Sequence, residues 1–358
     1  MSIGTVVDGQ RRITLNDLNI LSRVKRLGVP SVQEAFDKRP LLKILNAKSQ
    51  ITVKGATGIQ KTVIYNNTPQ GEHYSKKTTF KYPTTEDTFP AFYNWCFYYE
   101  PLAVFKQDLF KMGDEALINF LEMKSKLCYQ RALDGIYKEL FSSDSEATAL
   151  ANLKPVGIKL MLTKDRVLGY QDSDTGNGVN QLIANVWNPQ TMDLKGNDGG
   201  NEIAFTLPLL AAFVESCEWG INNRKPDVGL FSKHMLRKFM ALLDDKFRYG
   251  ADDKSLYYGL DAIYVWGVPF VKEKNLISIA DEGADYETAT RSEIVLLDTS
   301  SIELIFHPER NFYQEEWIDG TKYDNQDTFR TKVLVAYMLA YDHPRTNGRM
   351  YNIKPSIV

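Results

Sequence analysis

The order of parts along this chain limits what it can fold into more than any single motif does. A basic segment with short strand-like runs leads to about residue 105, and one long amphipathic pattern follows from Asp108 to Phe141. In that pattern Leu109, Ala116, Leu117, Phe120, Leu127, Leu133, Ile136, Tyr137 and Leu140 recur at helical spacing. Asp114, Glu115, Glu122, Lys124, Lys126, Arg131, Asp134, Lys138 and Glu139 lie between them. Such spacing predicts one helix with an apolar stripe and a charged face. At 1.5 Å per residue it would run roughly 50 Å, longer than a small domain is wide. No stretch of the leading segment holds enough apolar residues to build a core. A segment that cannot bury itself, joined to a helix too long to be covered locally, predicts a protein that lies on copies of itself.

The chain is long enough to bury a proper core. Its 358 residues suit one large domain or two smaller ones, and 43% hydrophobic with 25% charged content is that of a folded globular protein. No apolar run approaches the ~18 residues that cross a membrane, and MSIGTVVDGQRR has no apolar core of a secretory signal. Cys96, Cys128 and Cys217 are odd in number and widely spaced. Cys128 and Cys217 fall in helical patterns among apolar neighbours, which predicts buried free thiols and folding in a reducing cytoplasm.

The net charge of −2 hides an asymmetry. Residues 1–82 hold 14 Lys and Arg against 5 Asp and Glu, which leaves 29 against 40 in the rest: a local +9 faces −11. Chance clustering on solvated faces would give this, and so would contact with nucleic-acid phosphates. The basic residues are spread among acids, however, and lack the stacked aromatics of a strand-binding groove. Pairing between the leading segment of one subunit and the body of another is the favoured reading.

Along the chain, Thr14–Leu27 reads as a short helix stopped by Gly28 and Pro30. Ile51–Lys54 and Lys61–Tyr65 read as strand, Asn66–Gly71 as turn and Glu72–Tyr82 as the returning strand of a hairpin. Aromatics then crowd between Phe89 and Phe105, as expected of a strand anchored in a core. Asp172–Asn180 resembles a calcium loop but has Asn177 at the glycine position and Ile183 at the bidentate glutamate, so it fails. Thr206 reads as an N-cap with Pro208 in the first turn and Leu209, Phe213, Val214 and Cys217 in the stripe. Pro226–Phe231 reads as a buried strand, Ser232 as the cap of a helix to about Phe247. Ala262–Phe270, Ser292–Phe306 and Thr328–Tyr341 read as strands. Helices on a mixed sheet make the class α+β.

No standard catalytic constellation is present: there is no phosphate loop, no G-x-G-x-x-G, no G-x-S-x-G and no HExxH. His73, His234, His307 and His343 are far apart and none sits at metal-ligand spacing. No catalytic, cofactor or metal residue is assigned.

In its order of parts the chain resembles the major capsid proteins of tailed bacteriophages, the Hong Kong 97-type fold. The resemblance lies in a succession of segments. These are an arm, a hairpin, a long helix and the passage Lys225-Pro-Asp-Val-Gly-Leu-Phe-Ser232. They are followed by Gly259-Leu-Asp-Ala-Ile-Tyr-Val-Trp-Gly267-Val-Pro269, then the closing run Val333–Ala340 with Asn347-Gly348-Arg349-Met350. It implies an N-terminal arm at 1–50, an extended β-hairpin loop at 51–88 and a peripheral domain with its spine helix at 89–150. A mixed axial domain would fill 151–325, with peripheral strands returning towards its end, and a closing strand and tail 326–358.

By the same resemblance the partners are other copies in hexamers and pentamers, packaged double-stranded DNA bound without sequence specificity, a portal, and room for decoration proteins. There is no membrane, cofactor or metal, and the place is the virion, after assembly in the host cytoplasm. Some members carry a fused scaffolding segment; this chain starts in its arm, so a separate scaffolding protein is expected. Some members join a hairpin lysine to an asparagine near the end, for which Lys76, Lys77, Asn347 and Asn352 are available, but residue type alone does not make that reaction. Arg11, Arg12, Arg23, Lys25, Arg26, Lys76 and Lys77 are the expected inter-subunit contacts. Two alternatives remain: a nanocompartment shell of the same fold enclosing an enzyme, and a soluble α+β enzyme.

Overall fold

Two sheets carry the fold, and one pair of neighbouring strands passes through both. The computed structural model describes residues 5–7, 10–12, 18–19, 39–48, 58–64, 73–74, 76, 79, 88–112, 114–142, 146–162, 188–195, 203–219, 224–232, 235, 239, 242, 256–257, 260–276, 292–324 and 326–353. In chain order the first strands are β1 (Thr5–Val7), β2 (Gln10–Arg12), β3 (Gly58–Ile64), β4 (Thr88–Asn94), β5 (Cys96–Phe105) and β6 (Gln190–Asp193). Then come β7 (Val228–Phe231), β8 (Leu256–Tyr257), β9 (Leu260–Val265), β10 (Val268–Lys272) and β11 (Ser292–Leu297). The last are β12 (Ile302–Phe306), β13 (Tyr313–Gln314), β14 (Ile318–Asp319), β15 (Thr328–Tyr341) and β16 (Gly348–Ile353). The helices used below are α1 (Pro40–Lys48), α2 (Lys106–Phe110), α3 (Asp114–Leu140), α4 (Glu146–Ala151), α5 (Ile158–Met161), α6 (Leu207–Ser216) and α7 (Gly320–Asp324).

β15 is the axis of the five-stranded sheet. Its run of β-branched, aromatic and aliphatic residues suits a strand covered on both sides. On one flank β5 pairs with it from Phe105 opposite Thr328 to Cys96 opposite Tyr337. On the other flank β14, β13 and β12 follow one another along its length. The long helix α3 covers one face of this sheet, burying Leu117, Leu121, Cys128, Ala132, Leu133, Ile136 and Leu140. The single helix expected over Asp108–Phe141 is two: α2 ends at Phe110 and α3 starts at Asp114. Gly113 falls at the interruption, where a helix loses about 1 kcal/mol relative to alanine. α3 has 27 residues and is therefore about 40 Å long. Leu127, assigned to the stripe, faces solvent.

The second sheet has seven strands in the order β6-β16-β11-β7-β10-β9-β8. β7 is buried throughout, as expected, and lies antiparallel to β11 and parallel to β10. One face (Val228, Leu230, Val271, Val295, Leu297) joins the core under the five-stranded sheet. The other (Phe231, Phe270, Ile294, Leu296, Met350) forms a second core with α6 and the helical Met235 and Phe239. Thr206 caps α6 as expected, its Oγ1 accepting from the Leu209 amide at 3.4 Å. Ser232 does not cap through its side chain: its buried Oγ has no partner among the described residues, and its carbonyl accepts from the Met235 amide. The stretch Ala262–Phe270 is a tight hairpin rather than one strand. Trp266 and Gly267 both have positive φ (47° and 78°), the backbone of a two-residue turn that matches strand twist.

Residues 40–48 depart from the expectation of a leading segment that cannot bury itself. Leu41, Leu42, Ile44 and Leu45 of α1 are fully buried in their own subunit's first core. Arg39 holds Asp134 of α3 at 2.5 Å, and the Leu41 amide donates to the Tyr137 hydroxyl at 3.4 Å. That hydroxyl in turn donates to the buried Glu273 carboxylate at the end of β10. Of the expected helix Thr14–Leu27, Leu18 and Asn19 are described and helical; the rest lies outside the described residues. The strand that returns to pair with β3 is β4, from Ile64 opposite Thr88 to Gly58 opposite Asn94, not Glu72–Tyr82. The rejected calcium loop and most of the Ser232–Phe247 helix lie outside the described residues.

Candidate assembly interface

β5 alternates inward and outward, but both of its faces are apolar. Cys96, Leu102 and Val104 point into the core; Phe97, Tyr99, Pro101, Ala103 and Phe105 point out. Residues opposite one another in an antiparallel pair share a face. Leu334 therefore lies beside Tyr99, and Arg330 beside Ala103. The next strands extend these rows: Tyr313 sits opposite Leu334 and Ile318 opposite Arg330. Phe97 (54% exposed), Tyr99 (65%), Phe105 (65%), Tyr313 (52%) and Ile318 (47%) thus share one solvent-facing, largely apolar face on the side of the sheet away from α3, with Arg330 and Lys332 among them. Aromatic side chains of roughly 200 Å² each, half exposed, make this surface on the order of 500 Å². That is the upper end of what the largest patch on a monomer shows, and over half of one partner's share of a standard interface.

Charged residues interrupt the patch and border it: Lys332 and Arg330 lie on the outward row of β15 between Tyr99 and Phe105. Lys332, on the outward row beside Pro101, pairs with Glu315 at 3.2 Å. Lys106, just beyond Phe105, reaches Asp319 at 2.6 Å and Thr321 at 2.7 Å, and lies 5.0 Å from the centre of the Phe329 ring. The bond to Lys106 holds the half-buried Asp319 carboxyl below its usual value.

The β3–β4 ribbon leaves this sheet through Trp95, which links β4 to β5. Ala91, Tyr93 and Trp95 are buried while Phe92 and Asn94 are exposed, so the ribbon's root is fixed and its outer side is free. Tyr93 donates to the Tyr341 carbonyl at 2.9 Å, and Lys61 reaches Glu303 of β12 at 2.6 Å with both side chains about four-fifths covered. These bonds set the direction in which the hairpin projects.

The seven basic residues expected at subunit contacts are not gathered by the described structure. Arg11 and Arg12 lie on β2, paired with Val6 and Thr5 of β1. Lys76 is exposed. Arg23, Lys25, Arg26 and Lys77 lie outside the described residues. The sequence reading missed the aromatic face instead. It assigned the Phe89–Phe105 cluster to a core, although Phe97, Tyr99, Pro101, Ala103 and Phe105 alternate with Cys96, Leu102 and Val104. A strand apolar on both sides needs a cover on both sides, and that signal was present.

Three features bear on covalent locking and on metal chemistry. Cys96, Cys128 and Cys217 are free and buried, and burial pushes each thiol up to about 12. Asn347 is fully buried, with both ends of its amide bonded, and Asn352 donates to Asp193 at 2.8 Å. A third cluster joins α5 to the seven-stranded sheet. The Arg349 guanidinium holds Glu293 Oε2 through Nε at 2.8 Å and Nη2 at 2.6 Å, while Lys159 Nζ lies 3.1 Å from Oε1 as an ion-pair contact. It has one carboxylate for two cations, so it suits no metal ion. Among the described residues no group of three or more His, Cys, Asp or Glu could hold one.

No family model matches the chain, and no curated protein does. Solved structures match it along most of its length. The capsid protein of cyanophage A-1(L) is 15% identical, with 88% of this chain and 92% of that one covered and a TM-score of 0.55. The encapsulin of the holo-SrpI complex from Synechococcus elongatus PCC 7942 is 12% identical over 88% and 89%, with a TM-score of 0.54. The capsid of an empty GTA particle is 11% identical over 86% and 89%, with a TM-score of 0.51. The α+β, Hong Kong 97-like fold implied by the order of segments is the fold of this chain.

Proposed function

We propose that the chain is the structural subunit of a closed icosahedral shell, a phage head of hexamers and pentamers around double-stranded DNA. The observation that carries this reading is the aromatic face of the five-stranded sheet, left in solvent on a fold shared with particle-forming proteins. A subunit of a shell covers such a face with its neighbours, and many weak contacts add by repetition. In this reading the five-stranded sheet with α3 is the peripheral unit, the seven-stranded sheet the axial one, and the β3–β4 ribbon the root of the extended hairpin. Arg11, Arg12, Arg23, Lys25, Arg26, Lys76 and Lys77 then meet acidic bodies of other copies. Each exposed pair contributes only about 0–1 kcal/mol, so apolar contacts supply most of the cohesion. A scaffolding protein and a portal are the further partners, and DNA is enclosed without being read.

The test is particle size and content. The purified chain should scatter light as very large particles, and Phe97→Ser with Tyr99→Ser should leave folded subunits that no longer assemble. A small discrete oligomer of the parent protein overturns the reading. Large particles holding protein cargo and no DNA make it a nanocompartment shell instead.

A further inference from the structure

The strands that pass through both sheets form a single two-stranded ribbon with a bend in its middle. β11 and β16 are antiparallel neighbours in the seven-stranded sheet, with Leu296 opposite Gly348. β12 and β15, their immediate continuations, are antiparallel neighbours in the five-stranded sheet, with Ile302 opposite Tyr341. Between these registers lie two facing corners, Asp298–Ser301 on one strand and 342–347 on the other, where ladder pairing stops. Much of both corners is buried, and a buried backbone group left without a partner is costly. Side chains take the place of the ladder.

Asn347 does most of this. Its Oδ1 accepts from the Asp298 amide at 2.7 Å, across the ribbon. Its Nδ2 donates to Ser301 Oγ at 2.9 Å, again across, and to the His343 and Pro344 carbonyls of its own corner at 3.2 and 3.3 Å. Thr346 Oγ1 reaches Asp298 Oδ2 at 3.0 Å, and the Asp342 amide donates to the Ser301 carbonyl at 2.8 Å. Thr299 ties the same corner to Asp227, before β7, through its amide at 2.8 Å and its hydroxyl at 2.6 Å. Asp298, Thr299, Ser301, Thr346 and Asn347 are all buried.

We propose that Asn347 is a positioning residue that fixes the angle between the two sheets. The apolar core shared by the sheets is non-directional and tolerates small rotations. The bonds across the bend are directional, and rotation of one sheet against the other breaks them. An amide is the group required, because one end must accept from a backbone N–H while the other shares its two N–H bonds among three oxygens. Asn347→Asp keeps the shape and loses every donation, placing a second carboxylate beside Asp298. The inference concerns the subunit alone and does not depend on the shell reading.

The measurement is the distance between spin labels on Cys introduced at Lys138, on α3, and Tyr264, on β9; both positions are exposed. The native cysteines are buried and stay unlabelled in the folded chain. Labelled chains are diluted in a large excess of unlabelled ones, so that only distances within one chain are read whether or not the protein assembles. The parent should give one narrow distribution and Asn347→Asp one at least twice as broad or shifted by several ångströms. Leu296→Ala, a core truncation within β11, serves as the comparison. It should lower the melting temperature and leave the distribution narrow. Should Asn347→Asp fail to fold, Ser301→Ala and Thr346→Val, each removing one bond across the bend, should broaden the distribution partially. A parent-like distribution in Asn347→Asp, or equal broadening in Leu296→Ala, overturns the proposal. So do parent-like distributions in both milder variants.

Discussion

Tyr98 of β5 lies over Gly135 of α3 so closely that a β-carbon at position 135 would fall 2.1 Å from the tyrosine hydroxyl and 2.6 Å from its ring. The absent side chain lets the sheet settle onto the helix, with the hydroxyl bonded to Glu100 at 3.3 Å. Gly135→Ala should therefore destabilise the protein by about 1–3 kcal/mol, the usual cost of overpacking, despite alanine's better helix propensity. Chemical denaturation reads the effect. Adding Tyr98→Ala should remove part of the penalty; strictly additive losses would mean that the two residues do not collide.

The buried cluster of Lys159, Glu293 and Arg349 predicts an order of damage. Glu293→Gln leaves two cations uncompensated and should cost the most, about 3–5 kcal/mol. Lys159→Met leaves the two-bonded Arg349–Glu293 pair balanced and should cost the least. Arg349→Met should fall between, because it removes the better-formed contact. Melting curves of the three single variants decide it, and Lys159→Met proving the worst would contradict the charge argument.

His343 predicts a response to pH. Burial lowers its pKa from the ordinary value of 6.5, and Arg224 adds to this, while Asp342 and Asp298 work in the opposite sense. A group whose folded pKa is depressed contributes stability above its unfolded pKa and loses it as pH falls through the folded one. Acidification from pH 7.5 should thus destabilise the protein once pH drops below about 6.5. His343→Gln should flatten that part of the curve. Parallel pH profiles for parent and variant would remove His343 as the cause.

Truncation separates the leading segment into two parts. Removing residues 1–12 should leave the subunit's melting temperature nearly unchanged. Removing residues 1–48 takes away Leu41, Leu42, Ile44 and Leu45 and uncovers Tyr137, so the subunit should not fold. Circular dichroism of the two truncations distinguishes them, and a folded 1–48 deletion would show that α1 is dispensable to the core.

Much of this was legible where one local signal sufficed. Thr206 with Pro208 announces α6, and the unbroken apolar run at Val228–Phe231 announces a strand buried on both faces. What the sequence concealed depends on partners far along the chain. Ser292–Phe306 reads as one apolar run, yet Asp298-Thr-Ser-Ser301 are turn-forming residues, and the two halves join different sheets. Periodicity distinguishes the two faces of β5 but not what covers them. The aromatic face was therefore assigned to a core because aromatic residues usually mean one. The basic residues of the leading segment drew notice through their charge, a property that carries no geometry.

The bent ribbon also sets a timetable. β15 is the axis of one sheet and β16 lies inside the other, while their partners β5 and β6 come far earlier in the chain. On the ribosome, Cys96–Phe105 emerges with no strand to pair with until Thr328–Tyr337 follows, roughly 10–45 s later at ordinary rates of synthesis. Neither sheet can close before then, and the aromatic surface has no flat platform on which to be displayed. An incomplete nascent chain therefore cannot present that surface, and only a finished chain displays it.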